Sequence, residues 1–119
     1  MPVRSLNSSV LKWPDAELVH KAFMKWARAA LKNENITRTG YFGSYARGNA
    51  GPGSDLDVVI ILKQSDKPFE RRRSEWDMSE IPVPVDVLIY TLEEWEKLDK
   101  NSKMTRMLRN ETLWANESE

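Results

Sequence analysis

The sequence predicts a small α/β domain, a short β-sheet with helices packed on it. Three observations lead there. Val58 to Leu62 is an unbroken apolar run, the pattern of a central strand buried on both faces. Val19, Phe23, Trp26 and Ala30 recur at helical spacing, with Leu18 and Ala22 beside them. Strand-like and helix-like stretches then alternate along the chain in the order helix, strand, Gly-Ser turn, strand, helix, strand, helix, helix, which calls for helices layered on a sheet.

The first twelve residues, Met1 to Lys12, read as a polar, irregular lead-in. Trp13-Pro14-Asp15 is expected to start the first helix, with Pro14 at its first position and the acidic Asp15 and Glu17 near its positive end. That helix is expected to end near Asn33 to Asn35. His20 falls off its apolar line, among Glu17, Lys21 and Met24, and reads as a solvated surface residue. Ile36 to Phe42 is the first strand and Leu56 to Leu62 the second. Lys63 to Pro68 is a polar connection, and Phe69 to Ser79 is expected to be helical although only Phe69, Trp76 and Met78 are apolar there. Arg71-Arg72-Arg73 reads as a solvated helix face; at 100° per residue the three cannot share one side, so at most one or two could reach a ligand. The third strand lies within Val83 to Tyr90, after two prolines of the kind confined to strand starts and edges. Its odd-numbered valines and Ile89 share one face; Asp86, Leu88 and Tyr90 share the other. Thr91 and Glu94 form a capping box for a helix to about Lys100. A last helix is expected from about Ser102 to Trp114, with Met104, Met107 and Leu108 on one side and Trp114 extending that surface as core or a partner-facing patch.

The 119 residues suit a single domain, with a core over about residues 14–100, the terminal helix over about 102–114 and a polar tail over 115–119. There is no cysteine and only one histidine, which excludes disulfides and thiolate or His-rich metal sites. Eighteen basic and eighteen acidic residues balance, so overall charge calls for neither nucleic acid nor membrane. No apolar stretch approaches a membrane span and no secretory signal pattern opens the chain, so the expected compartment is the cytoplasm.

The chemistry concentrates in Gly40 to Leu62, GYFGSYARGNAGPGSDLDVVIIL. Asp55 and Asp57, two apart on a strand, would share a face with Cα atoms about 6–7 Å apart. That pattern suits hard cations, Mg²⁺ above all, which take carboxylate oxygens and substrate phosphates together. Two such ions can serve both the attacking and leaving oxygens of an in-line phosphoryl displacement. Gly43 lets the backbone approach a ligand closely, and Ser44 opens a short helix to Gly48 whose N-terminus is an anion site. Arg47, a turn later, can add positive charge. The loop lacks the Gly-Lys-Ser/Thr ending of a P-loop. Taken singly, Asp55 could be a turn residue and Ser44 a helix cap; Asp57, inside an apolar strand, is harder to explain without a ligand.

Gly43-Ser44, ten intervening residues and Asp55-Leu56-Asp57 resemble the nucleotidyltransferase signature of the DNA polymerase beta superfamily. The flank GSYARGNAGPGSDLDVVI is similar to the small stand-alone minimal nucleotidyltransferases (MNT proteins). Asp86, within Val85-Asp86-Val87, matches the third acidic residue of that family. The likeness covers about Gly40 to Tyr90. It implies a mixed sheet of the polymerase-beta type and transfer of a nucleoside monophosphate, most readily AMP from ATP, to a hydroxyl. It implies that Asp55, Asp57 and Asp86 hold Mg²⁺ in a two-metal site, that Gly43 and Ser44 hold the triphosphate with Arg47 beside them, and that Asp86 takes the acceptor's proton. Some MNT proteins are antitoxins that adenylylate a helical HEPN partner. A HEPN-family partner or a homo-oligomer would then complete the acceptor site. Two other readings are a module that neutralises a partner by contact alone, and a transferase acting on a small-molecule hydroxyl, as aminoglycoside nucleotidyltransferases do.

Overall fold

The structure is a computed structural model and describes residues 13–117; the lead-in expected over Met1 to Lys12 and the last two residues of the expected polar tail lie outside them. Its backbone is one mixed sheet of four strands in the order β3-β2-β1-β4. Helix α1 (Ala16–Ala30) precedes β1 (Ile36–Phe42); a single helical turn, α2 (Ser44–Arg47), then leads toward β2 (Leu56–Leu62). A 3-10 segment (Phe69–Glu75) bridges to β3 (Val85–Thr91), followed by α3 (Leu92–Lys97), α4 (Lys103–Glu111), the short β4 (Leu113–Trp114) and a 3-10 turn over Ala115–Glu117.

β2 is the centre of the molecule. It runs antiparallel to β1 and parallel to β3. Its side chains alternate between two apolar layers. Leu56, Val58, Ile60 and Leu62 meet Val19, Phe23 and Ala27 of α1 and the Met78, Ile81 and Val83 crossover. Val59 and Ile61 meet Phe42, Trp95, Leu108 and Trp114 on the opposite face. Every residue from Val58 to Ile61 is wholly buried, which is why the run carries no polar alternation.

Local signals explain most boundaries. α1 starts two residues later than expected, at Ala16: Asp15 is its N-cap, its carboxylate accepting from Leu18 N at 2.8 Å, so Pro14 sits outside the helix. It stops at Ala30, with Leu31 as C-cap, because the backbone after it turns through Asn33 to reach β1. The capping box at Thr91 and Glu94 forms as expected, and its helix ends at Lys97.

Three expectations need correction. Phe69–Glu75 is a 3-10 segment rather than an α-helix reaching Ser79, in keeping with its weak apolar pattern. Arg72 is not solvated. It is 4 % exposed and donates to Lys67 O, to Ile89 O and to both carboxylate oxygens of Glu94, pinning the segment to β3 and α3. The last helix ends at Glu111, and Trp114 belongs to β4, buried under the Arg38 guanidinium at 3.8 Å from its ring centroid. Trp114 therefore joins Leu108 and Met107 in one apolar cluster, the core alternative of that expectation. Gly40 makes room for β4: a Cβ there would lie 2.5 Å from Leu113 O. Asn116 fastens the end, donating to Thr37 O and accepting from Thr39 N. His20 is exposed, as expected, though its Nδ1 meets Tyr41 Oη at 2.7 Å. Among the described residues no helix is long and apolar enough to cross a membrane.

Candidate active site

The site forms where β1 ends and β2 and β3 begin. Asp57 is the second residue of β2, and its register partners are Phe42 on β1 and Asp86 on β3. Partners on adjacent strands lie about 4.8 Å apart and point to the same side of the sheet. Asp57 and Asp86 are therefore neighbours on the face covered by α4. Asp55 stands differently from the expectation. β2 begins at Leu56, so Asp55 lies just before the strand, exposed, rather than within its pleat.

Asp57 is half-buried, and burial pushes its carboxyl above the ordinary carboxylate value. The charge of Asp86, and then that of Asp55, pushes it further, while Arg47 pulls it back. Electrostatically, then, the three carboxylates act on one point. Among the described residues, however, no three His, Cys, Asp or Glu side chains are gathered tightly enough to hold a metal by themselves.

Gly43 faces this cluster from the end of β1. Its backbone has φ 79° and ψ −149°, and an added Cβ would collide with Asp57 Oδ2. Only a residue without a side chain lets the carboxylate lie against the main chain here. Ser44 opens α2, whose first-turn N–H groups have no partner within the helix. Gly48 closes that turn in the left-handed region at φ 83°. The turn is anchored by buried Tyr45, whose hydroxyl accepts from Trp13 Nε1 at 3.3 Å. Arg47 is exposed at its end. Its Nη1 donates to Glu111 Oε1 of α4 at 3.4 Å and lies 4.0 Å from Met107 Sδ.

A cavity of about 480 Å³ opens over the carboxylate pair, walled by Phe42, Leu88, Met104 and Met107 with Asp57 and Asp86. The fold thus brings together Gly43, Ser44, Asp57, Asp86 and Arg47, with Asp55 at the rim. Sequence reasoning placed Met104 and Met107 in a core or partner surface. Their spacing of three along a helix was the available signal, but which face of the sheet that helix covers depends on the tertiary fold. Glu111, the partner of Arg47, carried no signal in the sequence.

The model of the family described as "Nucleotidyltransferase domain" matches residues 24–112, three quarters of the chain and the whole of this site. The chain belongs to that family. It is a nucleotidyltransferase of the polymerase-beta-like, MNT type. Over 69 residues it is 35% identical to a protein of Methanocaldococcus jannaschii named "putative protein adenylyltransferase", covering 58% of this chain and 69% of that one. The fold is similar to that of a solved "putative nucleotidyltransferase" from Sulfolobus solfataricus, with a TM-score of 0.54 and 18% identity over 87% of this chain and 89% of that one. The mixed sheet expected from the resemblance is thus the sheet observed. In this nucleotidyltransferase the strand-borne carboxylates and the Gly-Ser turn sit at one end of that sheet.

Proposed function

We propose that this nucleotidyltransferase moves AMP from ATP to a hydroxyl of an acceptor protein. The observation that carries the reading is the in-register pair Asp57 and Asp86 at the mouth of a cavity, with Asp57 packed against Gly43. The name of the Methanocaldococcus jannaschii relative supports ATP as donor and a protein as acceptor.

The donor set fits a divalent cation. Two adjacent carboxylates with mutually unfavourable charge, a third at the rim and no histidine among the lining residues of a chain without cysteine make an all-oxygen set. Mg²⁺ is held by one or two carboxylates together with substrate phosphates, so a closed protein cage is not required. Asp57 and Asp86, with Asp55, would hold it, and when bound it would neutralise charge on the phosphates.

The chain's own groups supply the rest. Gly43 and the first-turn N–H groups of Ser44 and its neighbours receive the β- and γ-phosphates. Arg47 adds positive charge at the same end. Asp86 accepts the proton of the acceptor hydroxyl. The hydroxyl oxygen bonds to the α-phosphorus as the bond from that phosphorus to the bridging oxygen breaks, and pyrophosphate leaves with the electron pair. Phe42, Leu88, Met104 and Met107 give the cavity an apolar wall beside the carboxylates. A HEPN-family protein as the acceptor, with an antitoxin role, is the form the MNT resemblance favours, and the cytoplasm is the compartment where ATP would be met.

The test uses ATP labelled at the α-phosphate, Mg²⁺ and a lysate of the native host, with wild type beside Asp57→Asn. Label reaching a protein band with wild type only supports the reading. Label reaching only small molecules redirects it to a small hydroxyl acceptor, and absence of ATP binding sinks it.

A further inference from the structure

We infer that the outer edge of β3, at Val85 and Val87, is the docking strand for the acceptor: an extended peptide segment pairs with it and so carries a side-chain hydroxyl to Asp86. The inference rests on the nucleotidyl-transfer reading and names how its substrate is held.

β3 ends the sheet. Leu56 N donates to Pro84 O at 2.9 Å, and Leu56 is in register with Val85. In a parallel ladder alternate residues address the neighbouring strand. Pro84, Asp86 and Leu88 therefore turn their main-chain groups to β2, while Val85, Val87 and Ile89 turn theirs outward. Ile89 bears this out, because its outward carbonyl accepts from Arg72 Nη1 at 2.9 Å. Among the described residues no hydrogen bond reaches the outward N–H or C=O of Val85 or Val87. The open stretch thus flanks Asp86 and is closed beyond it by Arg72.

An unpaired edge is a template for another backbone. A strand added here would lie about 4.8 Å from β3, with alternate side chains on the face that carries Asp86. A Ser, Thr or Tyr at such a position would present its oxygen beside the Asp86 carboxylate. A second copy of this chain is the poorer occupant. Two β3 strands paired about this point would set the Asp86 carboxylates of both copies on neighbouring strands, and like charges opposed across strands are destabilising.

The probe is the peptide Lys-Val-Thr-Val-Tyr-Val-Lys, beside the same peptide N-methylated at alternate residues to remove the donors of one edge. Two readouts are taken: exchange rates of the Val85 and Val87 amides, and transfer of label from α-labelled ATP with Mg²⁺. We expect both amides to slow at least tenfold with the plain peptide and label to enter it. The N-methylated peptide is expected to lose tenfold or more in both. Val85→Pro removes an outward donor at the first residue of the strand while sparing the ladder to β2, and it lies outside the cavity lining; it is expected to bind ATP normally and to lose tenfold or more of peptide labelling. Should that variant fail to fold, the N-methylated peptide makes the same comparison on the wild-type chain. Unchanged amides, or equal labelling of both peptides, overturns the inference. So does protection that rises with protein concentration in the absence of peptide, which would give the edge to a second copy. Labelling of tyrosine amide as fast as the peptide, with no protection, leaves nucleotidyl transfer standing and removes the docking strand. Protection without any labelling supports the docking strand and counts against nucleotidyl transfer.

Discussion

Gly43→Ala is the substitution that most directly tests how the site is built. Two separate costs meet at this position. The backbone lies at φ 79°, ψ −149°, outside the regions an L side chain adopts readily, which costs about 1–3 kcal/mol. The new methyl would also collide with Asp57 Oδ2, so the carboxylate or the end of β1 must move. Gly48→Ala separates the two. Gly48 has a comparable φ of 83°, but an added Cβ there meets nothing within 4 Å. It should cost about 1 kcal/mol, from backbone strain alone, and leave transfer within about twofold, since nothing in the site is displaced. Gly43→Ala should cost about 3 kcal/mol and lower transfer by about 10²-fold, the loss expected from a displacement of about 1 Å at a reacting centre. Thermal unfolding reads the first quantity, at about 4 °C per kcal/mol for a chain of this size. α-Labelled ATP turnover reads the second. Equal activity losses in the two variants would refute the claim that Gly43 is required for the seat of Asp57.

Asp57→Asn should abolish transfer yet leave thermal stability in chelator-containing buffer unchanged or higher. The Asp57 pKa is raised by burial and by Asp86, so its ionised form burdens the fold at neutral pH, and the stability gap between variant and wild type should close as pH falls below the ordinary carboxylate value. Arg72→Met should cost about 2–3 kcal/mol in denaturant unfolding by stranding Ile89 O and Glu94, a figure kept low because Glu94 is 41% exposed. Glu94, held down to about 2 chiefly by its hydrogen bonds to Arg72, contributes stability that is whole above its unfolded value near 4.5 and is lost as pH falls toward about 2; Glu94→Gln should flatten that part of the pH–stability curve. Arg47→Ala should raise KM for ATP several-fold at low salt and less at high salt, because the side chain is exposed and shares its charge with Glu111.

Where the chain announces its structure locally, the sequence was readable. β1 and β2 could be placed to the residue because each strand-like stretch is bounded by polar or turn residues, Asn35 and Gly43 for one and Asp55 and Lys63 for the other. The capping box at Thr91 needs only three residues of context. Where a residue's role depends on what lies across space, it was not. Arg72 looks like its neighbours Arg71 and Arg73, and only the 3-10 geometry of the segment turns it inward to Ile89 and Glu94. Leu113 and Trp114 continue a helical pattern, and they become a strand because β1 offers a free edge at Gly40 and Tyr41.

The same distinction bears on the carboxylates. Asp55 and Asp57 invite treatment as an equivalent pair on one strand, but they are not equivalent. Asp57 is fixed by the ladder on both sides and pressed against a residue with no side chain. Asp55 precedes the ladder and stays exposed. The partner that the fold gives Asp57 is Asp86, 29 positions away in sequence and one strand away in space. If Asp57 and Asp86 form the core of the cation site and Asp55 its adjustable member, Asp55→Asn should weaken Mg²⁺ activation while Asp86→Asn removes it. A Mg²⁺ titration of ATP turnover distinguishes the two: a raised midpoint with a preserved plateau for Asp55→Asn agrees with this division, and loss of the plateau in both variants returns the two aspartates to equal standing.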